Sequence, residues 1–108
     1  MTRRAVAEAD RAAEYIRQFA PQAAVRWFDG LVKAVLSLEE MPRRCPQAPE
    51  AERLGVELRQ LLYGKRTGVF RIVFRIYDEA QPLPLVRVIA IRHGSRDRLR
   101  AEDLGDFD

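Results

Sequence analysis

The 108-residue sequence has one cysteine, one histidine and no long apolar run, and each scarcity closes a class of function. A lone Cys45 cannot form an internal disulfide, so the fold must rest on packing, and a reducing compartment suits it. One histidine and one cysteine cannot complete a zinc site, and there is no glycine-rich phosphate loop. No metal and no cofactor are therefore expected. No stretch approaches the roughly 20 apolar residues that a bilayer span requires, which argues against a membrane partner. The opening MTRRAVAEAD follows two arginines with alanines and acids rather than an apolar core, so no signal peptide is expected and the expected location is cytoplasmic. The length suits a single domain with one modest core.

What is present is unevenly charged. Residues 1–52 carry eight basic and eight acidic side chains. Residues 53–100 carry eleven basic against four acidic, and the last eight residues add four acids and no base. A neutral first half and a strongly positive second half point to a basic face for an acidic partner, whether nucleic acid or protein.

The hydrophobic period divides the chain. Over residues 4–19, Ala5, Val6, Ala9, Ala12, Ala13, Ile16 and Phe19 recur at helical spacing, with Thr2 placed to cap the helix. Pro21 sits where a second helix would begin, and Trp27, Phe28, Leu31, Ala34, Val35 and Leu38 form its stripe over Ala23–Leu38. The short link implies an antiparallel helical hairpin over about 4–40. Gly30 costs that second helix about 1 kcal/mol relative to alanine. Residues 41–55 hold three prolines and read as a surface loop. From there the period becomes 2, giving strands at Val56–Tyr63, Val69–Tyr77 and Leu85–Arg92. Gly64–Gly68 and Asp78–Pro84 read as turns, so the strands form an antiparallel meander over about 56–93. A polar tail occupies 94–108, with at most a short helix at Ser95–Leu104. The whole is an α+β fold, a helical hairpin packed on a small antiparallel sheet.

Strict alternation sorts the strand side chains. Phe70, Ile72, Phe74 and Ile76 should face the helices, leaving Val69, Arg71, Val73, Arg75 and Tyr77 on the other side. The same alternation places Arg87, Ile89, Ile91 and His93 together on the last strand, on that second face. A mixture of arginines and aliphatics suits a surface that buries a partner and selects acids. Its candidate residues are Arg71, Val73, Arg75, Arg87, Ile89 and Ile91, with Arg96 beyond the strand.

The order of these parts resembles the RelE/ParE toxins of type II toxin–antitoxin systems. The resemblance lies in Ala9-Asp10 with Tyr15-Ile16, in Ala23-Ala24 with Arg26-Trp27, and in Leu38 with Pro42. It continues through Pro49-Glu50, Gly55 with Arg59, Phe70-Arg71-Ile72 with Phe74 and Ile76, and Ile89 with Ile91, His93-Gly94 and Arg96. It runs from about residue 5 to residue 99. Members usually begin with a strand ahead of the first helix, and here only Met1–Arg4 precede it. The usual first strand is therefore expected to be missing, leaving a sheet edge open to pairing with another chain.

The resemblance implies a cognate antitoxin that wraps the toxin in a hetero-oligomer, and one of two activities. RelE-like members cleave messenger RNA on the ribosome, while ParE-like members, which include plasmid stabilisation proteins, bind and poison DNA gyrase. Cleavage needs a proton acceptor, a proton donor and charge stabilisation at the phosphorane. His93 is the candidate acid or base, Arg71 and Arg75 the phosphate clamp, Lys65 with Arg66 the contacts to the RNA backbone, and Glu57 a second candidate base. The lysine-rich strand and C-terminal tyrosine expected of RelE-like nucleases are absent. Gyrase poisoning requires no catalytic set, and the His93–Asp97 exit from the last strand is more similar to ParE-like sequences. The expectation is a ParE-like, non-catalytic growth inhibitor, with the ribosome-dependent endoribonuclease as the alternative and an inactive or purely binding module as a third reading.

Overall fold

The computed structural model describes residues 1–64, 68–77, 85–94 and 99–100. Helix α1 spans Arg3–Phe19 and helix α2 spans Pro21–Leu36. Short 3-10 turns at Ser37–Glu39 and Pro42–Arg44 lead to a brief helix α3, Glu50–Leu54. Strands β1 (Arg59–Tyr63), β2 (Phe70–Tyr77) and β3 (Leu85–His93) follow in an antiparallel sheet of order β1-β2-β3. The hairpin-on-meander architecture is the one the periodicity implies.

Local chemistry explains the helix ends. Thr2 Oγ1 accepts the Ala5 N–H at 3.1 Å, capping α1. Pro21 opens α2, where its missing N–H costs nothing. The fully buried alanines Ala5 and Ala9 let α1 lie close on the sheet. Leu31, Leu38, Ile72, Phe74, Val88 and Ile91 complete this first core, with Trp27, Phe28 and Phe70 at its margin. Gly30 is a packing requirement: a Cβ there would overlap the Tyr63 hydroxyl, which donates to the Trp27 carbonyl at 2.6 Å.

Three expectations need correction. Residues 41–55 are not simply a surface loop. Ala48 N–H donates to the Leu58 carbonyl and Gln60 N–H to the Pro46 carbonyl, so this segment lines the outer edge of β1. Ala48, Ala51, Leu54 and Val56 then pack with Leu58, Val73, Ile89, Ala90 and Leu99 into a second core on the far face of the sheet. The first strand consequently starts at Arg59 rather than Val56.

The second correction concerns parity. Val73 pairs with Ala90 but Phe74 with Val88, so Ile89 is an extra residue, a β-bulge. One inserted residue reverses which way every later side chain points. Arg87 and Ile89 share the far face with Arg75 and Val73, as expected. Ile91 joins the first core instead, and His93 meets the Phe70 ring edge-on at 5.0 Å between centroids, on the helix side.

The third concerns the sheet edge that was expected to lie open. The amino-terminal segment covers part of it. Thr2 N–H donates to the Val88 carbonyl at 2.9 Å, the Thr2 hydroxyl reaches the Ile89 carbonyl, and Glu8 Oε1 accepts the Ile91 N–H at 2.8 Å. Glu8 Oε2 also lies 2.7 Å from Arg92 Nε. A helix start and one carboxylate thus satisfy backbone groups that a strand would otherwise pair. Among the described residues no helix is long and apolar enough to cross a membrane.

Candidate functional site

Among the described residues, the far face of the sheet divides into an end closed by α3 and its flanking chain and an end they leave open. At the closed end Arg71 leaves β2 and meets Glu50 from α3 in a two-point ion pair. Nη1 lies 3.0 Å from Oε1, and Nη2 lies 2.7 Å from Oε2. Gln60 Oε1 takes a further bond from Nη1 at 2.9 Å, and the Gly94 carbonyl takes one from Nε at 3.1 Å. Glu50 is 1% exposed and Arg71 3%. Glu50 also accepts the Leu99 N–H at 3.0 Å, and Arg53 donates to the Leu99 carbonyl at 2.6 Å. The ion pair therefore ties α3, β1, β2 and the chain beyond β3 into one polar knot at the rim of the second core.

Burial alone would push the Glu50 carboxyl up. The bonds from Arg71 and Leu99 outweigh it and hold the group down at about 2. Glu8 shows the opposite balance. Its burial against β3 exceeds the help from Ile91 and Arg92, and its carboxyl is raised above the ordinary value.

At the open end Arg75 and Arg87 stand directly opposite each other across β2 and β3. Arg75 lies over the Tyr77 ring at 5.4 Å. Both arginines are half-buried, and Leu85 next to them is exposed. Neighbouring guanidinium groups on one face concentrate positive potential and suit an acidic partner.

On the helix side an apolar groove of about 630 Å³ runs between the end of α1, the start of α2 and the ends of β2 and β3. Tyr15, Phe19, Trp27, Phe70 and His93 line it. Tyr15 and Phe19 are exposed and meet at a tilt with 5.3 Å between ring centroids, and the buried Trp27 Nε1 has no hydrogen-bond partner among the described residues.

The predicted site residues are thus dispersed. Arg71, Val73 and Ile89 lie beneath the chain's own α3 segment, Ile91 lies in the first core, and Arg75 and Arg87 line the open end. His93 is exposed on the helix side, so the bulge separates it from Arg71 and Arg75. Glu57 is held at the surface by Arg43 and Arg59 rather than beside His93. Lys65, Arg66 and Arg96 lie outside the described residues. Among the described residues no cluster of three or more His, Cys, Asp or Glu side chains is arranged to hold a metal. Sequence reasoning missed Glu50, Gln60 and Glu8 as the partners of these arginines and of the β3 backbone. An acid after Pro49 in a proline-rich stretch gives no local signal of its pairing 21 positions away.

A family model described as ParE toxin of type II toxin-antitoxin system, parDE, matches residues 1–98 of the chain. No curated protein and no solved structure matches it.

Proposed function

Because the chain belongs to the ParE toxin family of type II toxin–antitoxin systems, we propose that it arrests growth by binding DNA gyrase, without catalysis, until a cognate antitoxin neutralises it. The family implies an antitoxin partner, and the gyrase target is the finer reading. One observation carries that reading. His93, the sole histidine, stands on the helix side of the sheet, while Arg71 and Arg75 stand on the other. A ribonuclease needs its acid or base and its phosphate clamp around a single phosphorane, within hydrogen-bond reach. Arg71 is moreover engaged by Glu50 inside the fold. A binding toxin needs only a surface, and the positive half of the chain supplies one.

In this reading the antitoxin contacts the open end of the far face. Arg75 and Arg87 make the electrostatic contribution, while Arg71, Val73 and Ile89 act from within by holding that face in shape and Ile91 packs in the first core on the other side. Toxin, antitoxin and target all meet in the cytoplasm.

The test is controlled expression in a bacterium, with growth, gyrase-dependent DNA breaks and messenger RNA integrity followed together. The expected result is arrest with DNA breaks and intact messages, unchanged by His93→Ala. Arrest with cleaved messages that depends on His93 would replace this reading with the ribosome-dependent nuclease. Absence of arrest from a folded chain would leave a binding module.

A further inference from the structure

Three features meet at the start of β3, outside the region that the amino terminus covers. The first is backbone. The Val88 carbonyl is turned away from β2 toward Thr2, and antiparallel pairing repeats every second residue, so Val86 also turns its N–H and C=O outward. Thr2 and Glu8 take the Val88 and Ile89 carbonyls and the Ile91 N–H. Among the described residues no backbone group meets the N–H or C=O of Val86, or the N–H of Val88.

The second feature is a groove of about 400 Å³ beside this stretch on the helix side, walled by Val35, Leu36, Leu85, Val86 and Val88, with Glu39 also in the wall. Leu36 is 56% exposed and Leu85 51%. The third is charge on the opposite face. Arg71 and Arg92 are paired with Glu50 and Glu8, while Arg87 stands on β3 at the uncovered edge with Arg75 opposite it on the central strand β2.

We infer that the Leu85–Val88 edge of β3 accepts an added strand from a partner protein, an extended segment in which apolar and acidic residues alternate. Backbone bonds to Val86 and Val88 would hold it, as in other strand additions to an exposed sheet edge. Its side chains point alternately to the two faces. Those on the helix side enter the groove, where Leu36 and Val35 favour apolar groups and Glu39 repels acids. Those on the other side lie next to Arg87 and near Arg75, where a carboxylate gains cross-strand pairing. The same charges oppose a second copy of this chain. Pairing β3 with β3 would bring the two copies of Arg87 together, with Arg75 one strand behind each. The antitoxin is the partner that would supply this strand, and only that identity rests on the toxin–antitoxin reading.

The test titrates the 15N-labelled full chain with a short synthetic peptide of alternating Glu and Val, and with its alternating Lys and Val counterpart. Backbone amide shifts and hydrogen exchange report the site. The acidic peptide should shift and protect the Val86 and Val88 amides, and the lysine peptide should not. Arg87→Glu should weaken the acidic peptide at least about 10-fold. Val86→Pro removes the outward N–H, at an edge where proline is tolerated, and should abolish the protection. Leu36→Glu, at an exposed position, should weaken binding independently of any effect of proline on the strand.

Shifts confined to the Tyr15–Phe19 groove, or binding indifferent to Arg87→Glu and Leu36→Glu, would overturn the inference. So would protection of Val86 and Val88 in the free chain accompanied by sedimentation as a dimer, because a second copy would then occupy the edge. Growth assays are a separate readout. A chain that binds the acidic peptide at β3 but never arrests growth would defeat the toxin reading and leave the edge site standing.

Discussion

Replacing Arg71 with methionine should destabilise the fold far more than loss of a surface arginine would. The substitution keeps a long apolar stem but removes the guanidinium that neutralises Glu50. The carboxylate, 1% exposed, would retain the Leu99 N–H but lose both bonds from Arg71. Breaking one side of a buried pair costs about 3–5 kcal/mol. Domains of this size hold roughly 5–15 kcal/mol in total. At ~4–8 °C per kcal/mol for a domain of about this size, Tm should fall by about 12 °C or more. Urea unfolding of the purified chain, followed by far-UV circular dichroism, measures the loss directly. The companion variant Arg71→Met with Glu50→Leu removes both charges and should recover most of it, since replacing a buried pair by apolar groups is often close to neutral. A loss under about 1 kcal/mol for Arg71→Met would refute the structural role, as would a double variant no more stable than the single. Arg71 would then be a surface arginine available to a partner.

Other outcomes follow from the same geometry. The folded Glu50 carboxyl titrates near 2 against an ordinary value of 4.5, so its contribution is fully present above pH 4.5 and disappears as pH falls from there toward 2. That interval corresponds to about 3 kcal/mol, measurable as a Tm decline that Glu50→Gln should flatten. Gly30→Ala should destabilise by about 1–3 kcal/mol through overlap with Tyr63. Adding Tyr63→Phe should relieve it, and a double-mutant cycle without coupling would contradict the contact. Glu8→Gln keeps an acceptor for the Ile91 N–H and spares the burial of a charge, so stability should stay within about 1 kcal/mol at neutral pH. Glu8→Ala leaves that N–H without its acceptor and should cost roughly 1–3 kcal/mol, with faster amide exchange at Ile91.

Much of this architecture was legible because its causes are local. Helices α1 and α2 follow from apolar spacing, the Thr2 cap and Pro21, and the meander follows from alternation broken by turn residues. Gly30 was visible as an anomaly but not as a contact, since its reason is the Tyr63 hydroxyl on another element. The open-end pair Arg75 and Arg87 was also legible, because strict alternation holds on β3 up to the bulge. Beyond Ile89 the same rule put Ile91 and His93 on the wrong face.

By itself the sequence determined the α+β class, the order of the elements, the positive second half and the kinship with ParE toxins. Tertiary structure alone decided where those charges do their work. Glu50 comes to Arg71 across 21 positions, and Glu8 to the Ile91 N–H across 83. Neither pairing is written in spacing or propensity, because each depends on two segments packing against opposite sides of one sheet. The bulge is of the same kind: one residue among alternating aliphatics carries no mark of being extra, yet it sets the facing of everything after it. A local pattern states which side chains want burial or charge. Only closure of the chain on itself decides which arginines become internal structure and which stay at the surface.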